Sequence, residues 1–257
     1  MGIFVVAPII FVVIYAFTTT DGQFTFLNFA AMGRFMSVFE RSFRLAFIST
    51  IICILIGYPI AYILSREGTR VQRLMIMLIV LPMWMNFLLR TYAWMSILEN
   101  TGFLNQFLTF LRLPALNIIN TPTAVVIGMV YNFLPFMILP IYSVIVKIDR
   151  SLYEAAQDLG ANTFSVFRKV VFPMSLPGVL SGVMMVFVPA VSTFVISSLL
   201  GGGMVMLLGD LIEMQFYGQT YNPELGSAIA LVMMLIIIAF MYVMNRFGAG
   251  EEKAVGL

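Results

Sequence analysis

The side chains that most often carry out covalent chemistry are scarce in this sequence of 257 residues. Histidine is absent, which removes the commonest general base and metal ligand. The single cysteine, Cys53, lies inside an apolar run. The glycine run Gly201–Gly203 is not followed by a lysine, so it is not the phosphate-binding loop of an ATPase. We therefore expect a chain that is not an enzyme, with no catalytic residue, no metal site and no cofactor of its own.

Polar residues concentrate instead in one stretch, SLYEAAQDLGANTFSVFRKVVFP, at residues 151–173. Ser151 and Glu154 have the spacing of a capping box at the start of a helix. Gly160 stands where a left-handed residue commonly ends one. The spacing predicts a two-turn amphipathic helix with one apolar stripe. The stripe consists of Leu152, Ala155, Ala156 and Leu159.

A helix of two turns is marginal in water, so its apolar stripe needs something to pack against. It can lie on the membrane surface, but such helices usually have a polar face rich in lysine and arginine. It can also dock into a groove on a soluble protein, where alanines permit close approach of the backbones. Both alternatives stay open, and the acidic residues Glu154 and Asp158 favour docking.

The composition of the chain indicates what kind of structure holds this polar stretch. Hydrophobic residues make up 61% of the chain and charged residues only 10%, whereas soluble domains carry about 25% charged residues. The chain has too little polar surface to cover a globule in water, so we expect it to be embedded in membrane lipid. Its net charge of +2 gives no indication of nucleic-acid binding.

Six segments approach the length of about 20 apolar residues that a helix needs to cross a bilayer. They are 3–18, 43–65, 71–89, 121–146, 174–198 and 226–246. The first lacks a basic leader and a small-residue cleavage site, so we expect it to be retained. The sequence thus predicts an all-α polytopic membrane protein, with six transmembrane helices in a single domain over residues 1–257. Gly178 and Gly182, a Gly-x-x-x-Gly pattern on the fifth span, indicate close helix packing.

The basic residues indicate the orientation. The segments 66–73, 147–173 and 246–257 hold nine of the 14 lysine and arginine residues. Because cytoplasmic loops carry the excess of positive charge, we expect these segments and both termini on the cytoplasmic side.

The polar stretch resembles the EAA loop of permease subunits of bacterial ATP-binding-cassette importers. That loop follows the pattern Glu-Ala-Ala-x3-Gly-x9-Ile-x-Leu-Pro. Val170 and Phe172 replace its Ile and Leu, and the matching residues are Glu154, Ala155, Ala156, Gly160 and Pro173. Further stretches are similar to the spermidine/putrescine permease family, among them GYPIAYILS (57–65), LPMWMNFLLRTYAW (81–94) and ISSLLGG (196–202).

The resemblance implies the MetI-like fold of type I importer permeases and a place in the bacterial inner membrane. It implies three kinds of partner: two copies of an ATPase subunit that bind ATP and Mg, a second permease of similar but different sequence, and an extracytoplasmic polyamine-binding protein. It also makes 147–173 a cytoplasmic coupling-helix loop that docks on the ATPase. The implied coupling residues are Leu152, Glu154, Ala155, Ala156, Asp158, Leu159 and Gly160.

The implied cargo, a polyamine, is a polycation that needs carboxylates, polar oxygens or aromatic faces along its path. The spans contain almost no acidic residue, so the carboxylates are expected at the outer mouth. Asp210 and Glu213, at i and i+3 on a predicted short helix, are the main acidic candidates. Glu99 and Glu224 are further acidic candidates. The aromatic and amide candidates are Trp84, Asn86, Tyr92, Trp94, Tyr131, Asn132 and Tyr142.

Two alternatives remain open. An importer of the same class can carry another cargo, such as a different organic cation, an amino acid, thiamine or iron. A stand-alone channel or carrier would need no ATPase, and the polar loop would then have no purpose.

Overall fold

The computed structural model describes residues 2–158, 160–217 and 221–255. These residues are almost entirely helical, and within them the only β pairing is an isolated antiparallel bridge between Thr18 and Phe24. The predicted all-α class is confirmed.

Thirteen α-helices follow one another in the described part of the chain. They are α1 (Gly2–Ala16), α2 (Leu27–Ala31), α3 (Met36–Arg66), α4 (Thr69–Trp84), α5 (Phe87–Leu98), α6 (Phe103–Phe110), α7 (Pro122–Ile145), α8 (Arg150–Asp158), α9 (Thr163–Val166), α10 (Phe172–Ser192), α11 (Val195–Gly201), α12 (Leu208–Tyr217) and α13 (Pro223–Val255). A 3-10 turn at Met32–Phe35 leads into α3, and a π-helical turn at Phe167–Val171 leads into α10.

The apolar helices agree with a polytopic membrane protein, although not as six uninterrupted spans. Four described stretches are long and apolar enough to cross a bilayer: Leu27–Arg66, Pro122–Ile145, Thr163–Ser192 and Pro223–Arg246. A fifth results if α4 and the helices after it count as one broken span, which bends by 92°. The apolar helix near the N-terminus, Val6–Ala16, is shorter. The count of six continuous spans is therefore not reproduced.

The third predicted segment, 71–89, is interrupted near its C-terminal end. Helix α4 ends at Trp84, and Met85 is extended, with φ −73° and ψ 149°. The Asn86 Oδ1 then accepts from the Leu88 amide at 2.8 Å, which is the hydrogen bond of a helix N-cap. An asparagine that satisfies the free amides of a new helix explains why the chain breaks here and does not continue.

The fifth predicted segment, 174–198, is also two helices, because α10 ends at Ser192 and α11 begins at Val195. The start of α12 approaches this interruption closely. A Cβ added to Gly209 would lie 2.6 Å from the carbonyl oxygens of both Ser192 and Thr193. Only glycine permits that approach, so the backbone of α12 packs directly on the break.

Large apolar side chains on the long helices are exposed, which is the arrangement expected of a surface that faces lipid. Examples are Leu55, Ile63, Leu235, Ile238 and Tyr242.

The chain divides into two compact units, each assembled from three separate segments. Unit 1 comprises Met1–Ala46, Thr91–Gly128 and Ala190–Phe240, and unit 2 comprises Phe47–Arg90, Met129–Pro189 and Met241–Leu257. Helices α3, α5, α7, α10 and α13 contribute residues to both units. The expectation of a single domain stays a prediction.

Unit 1 has a small buried cluster that packs α1 against α13. Ala16 and Ala228 are fully buried, and Leu231 is nearly so. Partly buried side chains surround them, namely Val12, Val13, Phe17, Phe29, Met32 and Met234. Small residues at the centre let the two helices approach closely.

Unit 2 is held together by glycines that lie against α7. A Cβ on Gly178 would lie 2.8 Å from the Pro140 carbonyl oxygen, and one on Gly182 would lie 2.7 Å from the Met137 Sδ. A Cβ on Gly57 of α3 would lie 3.1 Å from the Met137 Cγ. Met137 is fully buried, with α3 and α10 both against it. The Gly-x-x-x-Gly pattern thus marks a helix–helix contact.

We expect Gly178→Ala to destabilise the folded chain by about 1–3 kcal/mol, because the new methyl meets backbone atoms that cannot rotate away. The measurement is the apparent melting temperature of the detergent-solubilised protein. Gly33→Ala is the control, since a Cβ there meets no atom within 4 Å. Equal melting temperatures for Gly178→Ala and wild type would contradict the predicted contact.

Candidate functional site

The polar stretch folds as the predicted short helix, but a different residue caps it. Helix α8 begins at Arg150, one residue before the expected cap. The Asp149 Oδ1 accepts from the Ser151 amide at 2.9 Å, so Asp149 is the N-cap and the predicted Ser151–Glu154 capping box is wrong. Hydrogen bonding from Ser151 lowers the pKa of the Asp149 carboxyl. A carboxylate suits this position because it also meets the positive end of the helix dipole.

The end of α8 has the predicted glycine geometry. Gly160 has φ +80°, in the left-handed region. The Ala161 amide donates to the Ala156 carbonyl oxygen at 3.0 Å, which is the long-range bond of a Schellman motif. Asn162 then caps α9 by accepting from the Ser165 amide at 2.8 Å. Glycine and two side-chain caps therefore define both ends of the short helix and the start of the next.

The stripe predicted to dock on a partner is largely open to solvent. Leu152 is 40% exposed, and Glu154, Ala155 and Asp158 are also exposed. Ala156 is half-buried. Leu159, the remaining member of the stripe, lies outside the described residues. An exposed apolar side chain and two exposed carboxylates are available to a partner protein, and the docking role itself stays a prediction.

The face of α8 that meets its own chain is aromatic. The Arg66 guanidinium carbon, at the end of α3, lies 4.7 Å from the centroid of the Tyr153 ring. It lies 5.0 Å from the ring of Tyr62. Partial burial raises the pKa of the Tyr153 hydroxyl, and the charge of Arg66 opposes that shift. The sequence contains a signal for this contact, because Tyr58, Tyr62 and Arg66 recur every four residues on one face of α3.

A cavity of about 420 Å³ lies beside this contact. It is lined by Ser65, Arg66, Thr69, Gln72, Ile145, Val146, Ile148, Tyr153 and Glu154. The Tyr142 hydroxyl donates to the Gln72 Oε1 at 3.1 Å, and the Gln72 amide donates to two backbone carbonyls near the end of α3. Tyr142, proposed from sequence as a cation-binding ring, therefore joins α7 to α4.

A second cavity of about 420 Å³ lies within unit 2 and is mostly apolar. Its lining is Phe87, Arg90, Asn132, Phe133, Phe136, Met185 and Pro189. Arg90 is only 9% exposed, and its Nε has no hydrogen-bond partner among the described residues. The guanidinium lies 5.9 Å from the Phe87 ring. A buried cation beside Asn132 opposes the approach of a polycation to that amide, which weakens the prediction for Asn132.

The remaining aromatic and amide candidates are dispersed. Trp84, at the end of α4, is 84% exposed, and Tyr92 is also exposed. Trp94 and Tyr131 are half-buried. Asn86 is occupied as the cap of α5, and its expected role as a cargo acceptor stays a prediction. The part of these residues in a path stays a prediction.

The acidic candidates lie on the predicted short helix after the glycine run, which is α12. The Asp210 Oδ2 accepts from the Leu207 amide at 2.8 Å, and the Ser42 hydroxyl accepts from the Leu208 amide at 2.8 Å. Burial raises the pKa of Asp210 to about 6, while hydrogen bonds with Ser197 and Leu207 oppose the shift. Asp210 thus anchors the start of α12.

The other carboxylates differ in exposure. Glu213 is exposed on α12, whereas Glu224 is 9% exposed in the first turn of α13. Glu99 lines a cavity of about 320 Å³ together with Asn100 and Asn120. Among the described residues, no group of three metal-ligating side chains is placed to hold a metal ion.

The sequence matches a family described as "Binding-protein-dependent transport system inner membrane component" over residues 54–250. It is similar to "Spermidine/putrescine transport system permease protein PotB" of Haemophilus influenzae, with 39% identity over 95% of this chain and 89% of that protein. The protein of the same name from Escherichia coli K12 is 34% identical over 99% of this chain and 96% of its own length.

Solved structures show the same fold at low sequence identity. A bacterial ABC transporter involved in import of the polysaccharide alginate superposes with a TM-score of 0.82, at 14% identity, over 96% of this chain and 90% of that chain. The MetNI methionine ABC transporter, in an inward-facing conformation, superposes with a TM-score of 0.63 at 16% identity. The match covers 84% of this chain and 94% of that chain. The predicted fold of importer permeases is confirmed.

The raised pKa of Asp210 has a consequence for stability. Its folded pKa of about 6 exceeds the ordinary 3.8, so the folded state binds the proton more tightly than the unfolded chain between these values. We expect the melting temperature in detergent to rise as the pH falls from 7 towards 5, and Asp210→Asn to flatten that rise.

Glu213→Gln is the matched control, because this exposed neighbour is the smallest of the named influences on Asp210 and its loss should leave most of the slope. Superimposable pH profiles for wild type and Asp210→Asn would show that the carboxyl does not titrate as inferred.

Proposed function

The chain belongs to the family of binding-protein-dependent transport system inner membrane components, and we propose that it is the permease subunit of an ATP-binding-cassette importer for polyamines. The observation that carries the proposal is α8, a capped and glycine-terminated helix that exposes Leu152, Glu154 and Ala155. Permease relatives named for spermidine and putrescine, aligned over nearly the whole chain, support the cargo.

In this proposal, α8 docks in a cleft of a separate ATPase subunit, present in two copies, which binds ATP and Mg. The geometry supports docking because the helix is fixed at both ends while its apolar and acidic side chains remain open. Leu152 supplies an apolar anchor, and Glu154 and Asp158 suit a cleft with basic or amide groups. ATP binding in the partner would displace α8 and change which side of the membrane the path opens to.

A second permease subunit, similar but different in sequence, and an extracytoplasmic binding protein complete the proposed importer. A structural relative is described in complex with its substrate-bound periplasmic protein, which supports a partner of that kind. The excess of lysine and arginine in 66–73, 147–173 and 246–257 supports cytoplasmic termini in the bacterial inner membrane.

The proposed path has fewer candidate groups than the sequence suggests. Asn86 and Asp210 cap helices, and Asn132 lies beside the cation of Arg90. Glu213 and Tyr92 are exposed, Trp94 and Tyr131 are half-buried, and all four remain candidates for contact with a polyamine.

Gly160→Pro tests the coupling role. Proline holds φ near −65°, so it cannot adopt the +80° that ends α8. We expect ATP-dependent uptake to be lost while the chain remains in the membrane, as measured by transport in vesicles and by membrane content. Gly160→Asn is the control, because asparagine tolerates the left-handed region and no atom lies within 4 Å of the added Cβ. Normal uptake by membrane-inserted Gly160→Pro would refute the coupling role.

The cargo is tested separately by reconstituting the four-component importer in liposomes. We expect the binding protein loaded with spermidine or putrescine to stimulate ATP hydrolysis, whereas an amino acid, thiamine or ferric iron does not. Stimulation by one of those ligands alone would replace the polyamine with another cargo, and transport by the permease without any ATPase would point to a stand-alone carrier.

A further inference from the structure

Arg66 lies between two tyrosine rings where α3 meets α8. Its guanidinium carbon is 5.0 Å from the ring of Tyr62, one turn earlier on α3, and 4.7 Å from the ring of Tyr153 on α8. Both distances are within the range in which a cation is attracted to an aromatic face. A planar guanidinium can stack on two rings at once, which a lysine ammonium cannot do equally well.

The same face of α3 continues into the segment that follows α8. The rings of Tyr62 and Phe167 meet edge to face with centroids 5.2 Å apart, and those of Tyr58 and Phe167 at 5.7 Å. The hydroxyls of Tyr58 and Ser175 are 2.7 Å apart in a buried hydrogen bond. Phe167 opens the π-helical turn that leads into α10. One row of side chains on α3 therefore touches both α8 and the start of α10.

The contact between Arg66 and Tyr153 lies at the wall of a cavity. The cavity that Glu154 and Tyr153 line separates α8 from parts of α4 and α7. A cavity removes van der Waals contacts, so each contact that remains contributes more to holding α8 against α3. The Arg66–Tyr153 contact is one of these.

We propose that Arg66 and Tyr153 are positioning residues that convey displacement of α8 to α3, so that partner-driven movement of α8 is converted into movement of the membrane helices. The inference rests on the proposed coupling function, to which it adds the residues of the mechanical connection. Tyr62 and Phe167 extend the connection to α10. None of these residues needs to touch cargo or nucleotide.

The test measures how many cargo molecules enter per ATP hydrolysed by the reconstituted importer. Tyr153→Leu removes the ring, and Tyr153→Phe retains it without the hydroxyl. We expect Tyr153→Leu to lower this ratio by about two- to fivefold, the factor that one exposed cation–π contact is worth, and Tyr153→Phe to retain it. ATP hydrolysis itself should continue in both variants.

Arg66→Gln provides a second approach from the other side of the contact, in case Tyr153→Leu fails to assemble. We expect Arg66→Gln to lower the number of cargo molecules imported per ATP by a similar factor. Arg66→Lys should give a value between those of wild type and Arg66→Gln. Because both changes remove the same contact, Arg66→Gln combined with Tyr153→Leu should be no worse than either alone.

An unchanged ratio in Tyr153→Leu and Arg66→Gln would overturn the proposal, as would additive losses in the double variant. A loss in Tyr153→Phe equal to that in Tyr153→Leu would also overturn it, because the ring would not be the operative group. Proportional loss of hydrolysis and uptake would indicate a role in assembly and would equally exclude the proposed one. If wild type shows no ATP-dependent uptake, the proposed function fails first, so the two failures are distinguishable.

Discussion

A helix that starts inside a membrane protein has free backbone amides and little water to satisfy them, and this constraint governs where polar side chains are found here. Asn86 accepts from the Leu88 amide that begins α5. Asp149 caps α8 in the same way, at a helix start that is open to solvent. Ser42 and Asp210 together satisfy the start of α12. Two polar residues that look like ligands for cargo, Asn86 and Asp210, are therefore first of all caps, which hold the starts of their helices in place.

Arg66 and Arg90 show how the same charge is accommodated in different surroundings. Arg66 is exposed and stacks between tyrosines, where its cation is partly solvated and partly balanced by aromatic faces. Arg90 is buried in a largely apolar cavity, next to Asn132 and three phenylalanines. The first arrangement makes a connection between helices, while the second places positive charge where a cationic cargo would be repelled.

The fold places one short exposed helix beside closely packed apolar helices. In unit 2, the glycines of α10 and α3 approach Met137 of α7 so closely that these helices form one packed layer. Helix α8 lies outside that layer, fixed by its caps and by the contact with Arg66, beside an open cavity. Closely packed apolar helices with one short exposed helix attached to them suit a protein that receives motion from a partner. Membership of the importer permease family agrees with that arrangement.

The sequence by itself determined the membrane class, the existence of a short helix within 151–173 and its glycine end, because composition, apolar length and local spacing express these features directly. It also contained the family pattern around Glu154. It did not reveal the breaks at Met85 and Thr193, the cap at Asp149 or the burial of Arg90. Those depend on which backbone amides and carbonyls other segments can reach. Contacts such as Arg66 with Tyr153 join residues almost ninety positions apart, and only the tertiary structure decides which distant side chains meet.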